Sequence, residues 1–155
     1  MQQKINWDTY FLAMVELISM RSSDPNTKVG SVIVNENKQV ISTGYNSLAR
    51  GLNDNNYPWT NDLSKGIENT KYAYIVHSES NAIVSSKQDL SGYTLYTSLF
   101  PCNECAKLII QAGISKVIYS SDKYKDTELA KASKKMLREG KVELIQKTAV
   151  TVEIK

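Results

Sequence analysis

The chain reads as one α/β domain in which helices flank a mixed sheet, and three observations predict it. A helical pattern opens the chain, a β-hairpin follows, and strand-like and helix-like runs then alternate, an order that layers helices against a sheet. The strand-like runs are rich in β-branched and aromatic residues and are bounded by Gly, Asn and Ser clusters. A length of 155 residues, 41% hydrophobic and 23% charged, suits a single domain over 1–155 with a real core.

Asn6 can cap a first helix from Trp7 to about Met20, with Trp7, Phe11, Met14, Val15 and Ile18 expected along its core face. The polar segment Arg21-Ser22-Ser23-Asp24-Pro25-Asn26-Thr27-Lys28 combines a guanidinium, an ammonium and hydroxyls. It serves either as an anion-binding set or as a solvated loop. Val29–Val34 reads as a strand, Asn35–Lys38 as a turn, and Gln39–Thr43 as the returning arm of a hairpin. Asn46 emerges at the end of that arm, where its amide can hold a ligand hydroxyl or bond its own turn. From Ser47 to Thr70 no period appears; a loop this long in a compact domain is usually functional or disordered. Its Tyr57 and Trp59 fit either an anchor on the core or a subunit contact. A second helix starts near His77 and continues through Asn81–Val84. Tyr93–Thr97 reads as a strand and Ala106–Gly113 as a helix with Gly113 at C′. Lys116–Ser121 is a strand, Thr127–Arg138 a helix with Ala130, Met136 and Leu137 inward, and Val142–Ile145 and Val150–Ile154 are final strands.

Between the strand and helix of the third unit lies Phe100-Pro101-Cys102-Asn103-Glu104-Cys105. Pro101 suits a helix start, and Cys102 and Cys105, three apart in a first turn, face one side. The positive field of a helix N-terminus favours their thiolates. The only histidine lies upstream in His77-Ser78-Glu79. Two thiolates, one imidazole and a spare carboxylate match the zinc-deaminase pattern H-x-E…P-C-x-x-C. Three protein ligands leave one zinc position for water, as catalytic rather than structural sites do. Glu79 is then the proton shuttle, not a ligand.

The composition excludes some classes. A net charge of +3 is too mild for wrapping nucleic acid, yet it helps draw in a small anion. The longest apolar stretch, Phe11–Val15, stops at Glu16, so no membrane span is expected. Met1–Asn6 shows no signal-peptide pattern, and both cysteines fall in one motif, which together predict a reducing, cytoplasmic setting.

The sequence resembles the deoxycytidylate (dCMP) deaminases. The resemblance rests on His77–Ile83, Phe100–Ile114, Arg21–Gly30, Gly44–Asn46, Lys71–Tyr74 and Ser121–Tyr124, spread from about Trp7 to Tyr124. It implies the cytidine-deaminase-like three-layer α/β/α fold with a five-stranded mixed sheet, assembled as a homohexamer. It implies hydrolysis of dCMP to dUMP and ammonia for thymidylate synthesis, with activation by dCTP, inhibition by dTTP, and Mg²⁺ accompanying the triphosphate. Carried over by position, His77, Cys102 and Cys105 hold zinc and Glu79 shuttles protons. The Ser78 backbone meets the pyrimidine, Asn46 the deoxyribose, and Tyr124 flanks the base. A nucleotide also requires a cationic phosphate site, for which Arg21, Ser23 and Lys28 are the candidates. The segment Ser47–Trp59 is the candidate for effector contacts. Ser78 stands where Ala is usual and Ser80 where an apolar residue is usual. Ser47–Gly51 lacks the Gly and Pro expected there, which bears on the effector response.

Three other readings compete. A deaminase of free nucleosides, guanine or a tRNA base would share the zinc motif. A thiol–disulfide oxidoreductase would use Cys102 and Cys105 but leave His77-Ser78-Glu79 unexplained. A binding module stapled by structural zinc would need a fourth protein ligand.

Overall fold

The computed structural model describes residues 3–155; Met1 and Gln2, on which part of the signal-peptide reading falls, lie outside them. Asn6 caps α1 (Trp7–Ser19), its side chain accepting from the Thr9 N–H at 2.8 Å. Then come β1 (Gly30–Val34), β2 (Val40–Tyr45), the two-residue β3 (Ser47–Leu48) and β4 (Ile75–Val76), and α2 (Ser78–Ser85). β5 (Thr94–Leu99), α3 (Asn103–Gln111), β6 (Lys116–Ser121), α4 (Glu128–Glu139) and β7 (Glu143–Gln146) complete the chain.

Five strands form a mixed sheet in the order β2-β1-β5-β6-β7. β1 runs antiparallel to β2 and β5, while β5, β6 and β7 are parallel. Every residue of β1 is buried. Its sequence, two small residues and then Val32-Ile33-Val34 with no charged side chain, is what a strand covered on both faces demands. On one face, Phe11, Leu12 and Val15 of α1 pack with Val32, Val34, Tyr96 and Ile118. On the other, Ala82, Ala106, Ile109 and Leu137 from α2, α3 and α4 pack with Ile33, Leu95 and Val117. This is the three-layer α/β/α architecture expected from the sequence. No helix among the described residues is long and apolar enough to cross a membrane.

Several local expectations are corrected. Trp7 is exposed rather than core, and it stacks on Phe11 from outside at 5.7 Å; Leu12 takes the buried place. The third helix begins at Asn103, not Ala106, because Cys102 is its N-cap, and Pro101 precedes the cap. Val150–Ile154 forms no strand. Val150 packs on the α1-side cluster, so its burial is met without strand pairing. The aperiodic stretch holds β3, paired antiparallel with β4, and three 3₁₀ turns between Asp54 and Asn69. These units are too short to leave a period. Within it Tyr57 packs on Tyr74 at 5.1 Å, and the Trp59 indole N–H donates to the Asp54 carbonyl at 3.0 Å.

Candidate active site

Two helix starts face each other at the C-terminal ends of strands. β4 delivers His77 as the N-cap of α2, which puts Ser78 and Glu79 in its first turn. β5 delivers Phe100, Pro101 and Cys102 as the entry to α3. The Phe100 N–H donates to the Ser121 carbonyl at 2.8 Å, and the Ser133 hydroxyl of α4 donates to the Pro101 carbonyl at 2.7 Å. The cysteine entry is thus pinned from the sheet and from a neighbouring helix. Asn81 ties the histidine helix to the end of β2, donating to the Tyr45 carbonyl at 2.7 Å and the Ser47 hydroxyl at 3.2 Å.

The result is a convergent donor set. Ligating atoms of His77, Cys102 and Cys105 all lie within 4.8 Å of one another. His77 Nδ1 is 3.3 Å from Cys102 Sγ and 3.6 Å from Cys105 Sγ. The Cys105 N–H donates to Cys102 Sγ at 3.4 Å, and Ser80 Oγ is 3.3 Å from Cys105 Sγ. Interaction with the Cys105 side chain, and after it hydrogen bonds from His77 and the Cys105 backbone, hold the Cys102 thiol well below its ordinary range against the cost of burial. The Cys105 thiol is pushed up by its side-chain interaction with Cys102, by burial and by the nearby Glu79. His77 is pushed up by its hydrogen bond to Cys102, against the cost of burial. One imidazole and two sulfurs, with one thiolate already favoured, fit zinc and leave one of four tetrahedral positions for a non-protein ligand.

Glu79 is 4% exposed and is not part of the donor triangle. Burial pushes its carboxyl up, partly offset by the charge of His77. The Ser78 hydroxyl donates to Glu79 Oε2 at 3.2 Å, and Ser78 Oγ sits 2.7 Å from Ser31 Oγ. Cys105 Sγ lies 3.8 Å from the same carboxylate oxygen.

A cavity of about 700 Å³ opens over this centre, lined by His77, Ser78, Glu79, Cys102, Asn46 and Tyr124 among others. The structure therefore brings together every residue expected at the base and sugar ends. Asn46 is buried and does not bond its own turn. Its amide donates to the Thr27 carbonyl at 2.8 Å and to Asp24 at 3.4 Å, and its Oδ1 accepts from the Val29 N–H at 2.9 Å. Arg21, Ser23 and Lys28 are exposed and do not line the cavity; Asp24, Asn26 and Thr27 of the same segment do. Ser47–Leu48 lies in β3, and the rest of the expected effector segment is mostly exposed. Sequence reasoning missed Asp24, Lys71 and Ser133. Asp24 and Lys71 sit within segments already singled out, whereas nothing local marks Ser133.

Fold and site define a class: three side chains able to hold a metal, set beside a buried carboxylate at a helix start on a layered α/β scaffold, are the arrangement of a zinc-dependent deaminase. The comparisons agree. The sequence model of the cytidine and deoxycytidylate deaminase zinc-binding region matches residues 5–121. A probable deoxycytidylate deaminase of Drosophila melanogaster is 44% identical over 162 residues, covering 98% of this chain and 79% of its own length. The deoxycytidylate deaminase of Homo sapiens is 45% identical over 131 residues, covering 84% of this chain and 73% of its own. A crystal structure of dCMP deaminase from the cyanophage S-TIM5, in complex with dCMP and dUMP, matches with a TM-score of 0.74 and 26% identity. That match covers 94% of this chain and 100% of the other. This chain belongs to the cytidine and deoxycytidylate deaminase family, among its deoxycytidylate deaminases.

Proposed function

We propose that this protein hydrolyses dCMP to dUMP and ammonia, using one zinc ion held by His77, Cys102 and Cys105. The observation that carries the proposal is the placement of Glu79, buried within 3.8 Å of a ligating sulfur and facing the same cavity as Asn46. Zinc, when bound, supplies the Lewis acidity that makes water a nucleophile near neutral pH. Glu79 takes one proton from that water and passes it to the ring nitrogen, then carries the proton of the new C4 hydroxyl to the amino group, which leaves as ammonia while a C4 carbonyl and a ring N–H remain. One water is consumed and one ammonia released, so the reaction needs no oxidant.

The Ser78 backbone meets the pyrimidine and Tyr124 flanks it. Asn46 has both amide hydrogens committed to the protein, so it meets a deoxyribose hydroxyl as an acceptor through Oδ1. Arg21, Ser23 and Lys28, exposed and outside the cavity lining, draw the substrate's phosphate toward the segment whose Asn26 and Thr27 reach the cavity. We further propose activation by dCTP with Mg²⁺, inhibition by dTTP, effector contacts in Ser47–Trp59, a homohexamer, and a cytoplasmic role supplying dUMP for thymidylate synthesis. Exposed Trp7, Tyr10 and Leu17 on α1, with Met20 at its C-cap, supply apolar surface for assembly.

The test is ammonia release from dCMP, deoxycytidine and CMP, each with and without dCTP plus Mg²⁺. Turnover favouring dCMP and raised by dCTP supports substrate and regulation together. Turnover of dCMP without a dCTP response removes the allosteric part. No turnover of any of the three by zinc-loaded protein overturns the proposal.

A further inference from the structure

One buried charge pair in the cavity wall has no role in the chemistry above. Asp24 follows α1 and Lys71 sits in the 3₁₀ turn before β4, yet they meet at 2.7 Å with side-chain exposures of 2% and 8%. A buried ion pair is a poor stability device, because desolvation offsets most of its attraction and matched apolar residues often serve as well. Its position suggests another use.

The two partners are not equally satisfied. Asp24 Oδ1 accepts from the N–H groups of Asn26 at 2.8 Å and Thr27 at 3.2 Å. Its Oδ2 accepts from Lys71 and, at 3.4 Å, from Asn46. Lys71 has three N–H donors on its ammonium. Among the described residues, Asp24 is the one hydrogen-bond acceptor that ammonium has. Two donors are left on this ammonium, and Lys71 is the one lysine or arginine lining the cavity shared by His77, Glu79 and Asn46. Arg21 and Lys28, by contrast, are exposed. The backbone N–H groups of Asn26 and Thr27, which could otherwise cradle an anion, are consumed by Asp24.

We propose that Lys71, held in place by Asp24, binds the 5′-phosphate of the substrate and sets the preference for a nucleotide over a nucleoside. The assignment rests on the deaminase reading above. Asp24 restrains a side chain that otherwise loses much rotamer freedom on binding, so the ammonium meets the phosphate preorganised. Ammonium-to-phosphate hydrogen bonds are charge-assisted, and a half-enclosed site screens them less than water does.

The test compares zinc-loaded wild type with Lys71→Met and with the paired variant Lys71→Met/Asp24→Asn. The paired variant leaves no unpaired buried carboxylate and keeps the protein folded if the single one fails. The readouts are kcat/KM for dCMP and for deoxycytidine, and competitive inhibition by inorganic phosphate. Expected is a fall of about 10²–10³-fold for dCMP, carried mainly by KM, as for loss of one partner of a desolvated charge pair. The dCMP-to-deoxycytidine ratio collapses with it, and phosphate inhibition is lost. A wild-type ratio in a folded, zinc-loaded variant overturns the proposal, as does an equal loss on both substrates, which would make the pair a support for Asn46 alone. Wild type that turns over both substrates equally also overturns it. Wild type that turns over neither overturns the deaminase reading itself.

Discussion

Replacing Gly44 by alanine is expected to damage both the fold and the site through one contact. Gly44 is the buried penultimate residue of β2, against which the first turns of α2 pack. A Cβ there would stand 2.2 Å from the Ser78 carbonyl oxygen and 2.5 Å from the Ala82 backbone nitrogen. Both are backbone atoms, so no rotamer change relieves the clash; helix and strand must separate by about 1 Å to reach ordinary van der Waals contact. Overpacking of this kind costs about 1–3 kcal/mol. For a chain of this size that lowers Tm by about 3–10 °C. The displaced residues are Ser78 and its neighbours His77 and Glu79, and misplacing catalytic groups by about 1 Å can cost about 10²-fold in rate. Thermal unfolding followed by circular dichroism, with dUMP formation and zinc content on the same preparation, measures all three effects. An alanine variant with wild-type Tm and turnover would refute the claim that this close approach positions α2.

The remaining predictions concern single groups. Glu79→Gln keeps its zinc and loses about 10²–10⁴-fold in kcat, as expected of a general acid–base group, checked by metal analysis and ammonia release. Cys102→Ala loses zinc and turnover together; a variant that stayed zinc-loaded and active would remove Cys102 from the ligand set. Tyr96→Phe removes a 2.7 Å hydrogen bond from the phenol to Asp8 and lowers stability by about 1–2 kcal/mol in urea unfolding. Burial and Asp8 raise the Tyr96 pKa, so the folded state favours the protonated phenol. That contribution is fully present below the unfolded phenol value of about 10 and is lost as pH rises above it. The stability gap between wild type and Tyr96→Phe therefore narrows above about pH 10.

The layers of the fold were legible because their signals are local. The Val32–Val34 run of β1, the Asn6 cap and Gly113 at a φ of 78° each encode an element or its boundary within a few residues. The candidate metal site was legible for the same reason, since His77-Ser78-Glu79 and Cys102–Cys105 each lie within one turn of chain. What stayed hidden depends on distant partners. Lys71 stands in a stretch that carries the resemblance, but its burial and its partner show only once Asp24, 47 residues away, is folded against it. Trp7 follows the apolar period of α1, but its position one turn beyond Phe11 lies past the edge of the sheet-side cluster. Cys102 as a cap in place of Ser or Asp is unusual chemistry, explained by its second task in the donor set.

Zinc-dependence of dCMP turnover tests the central claim most directly. Protein stripped by a chelator and titrated with zinc is assayed for dUMP at each step. The account predicts no turnover without metal and a rate that rises with bound zinc to a plateau at one ion per chain. Full turnover of the metal-free protein, or a zinc-loaded protein that leaves dCMP unchanged, would contradict it.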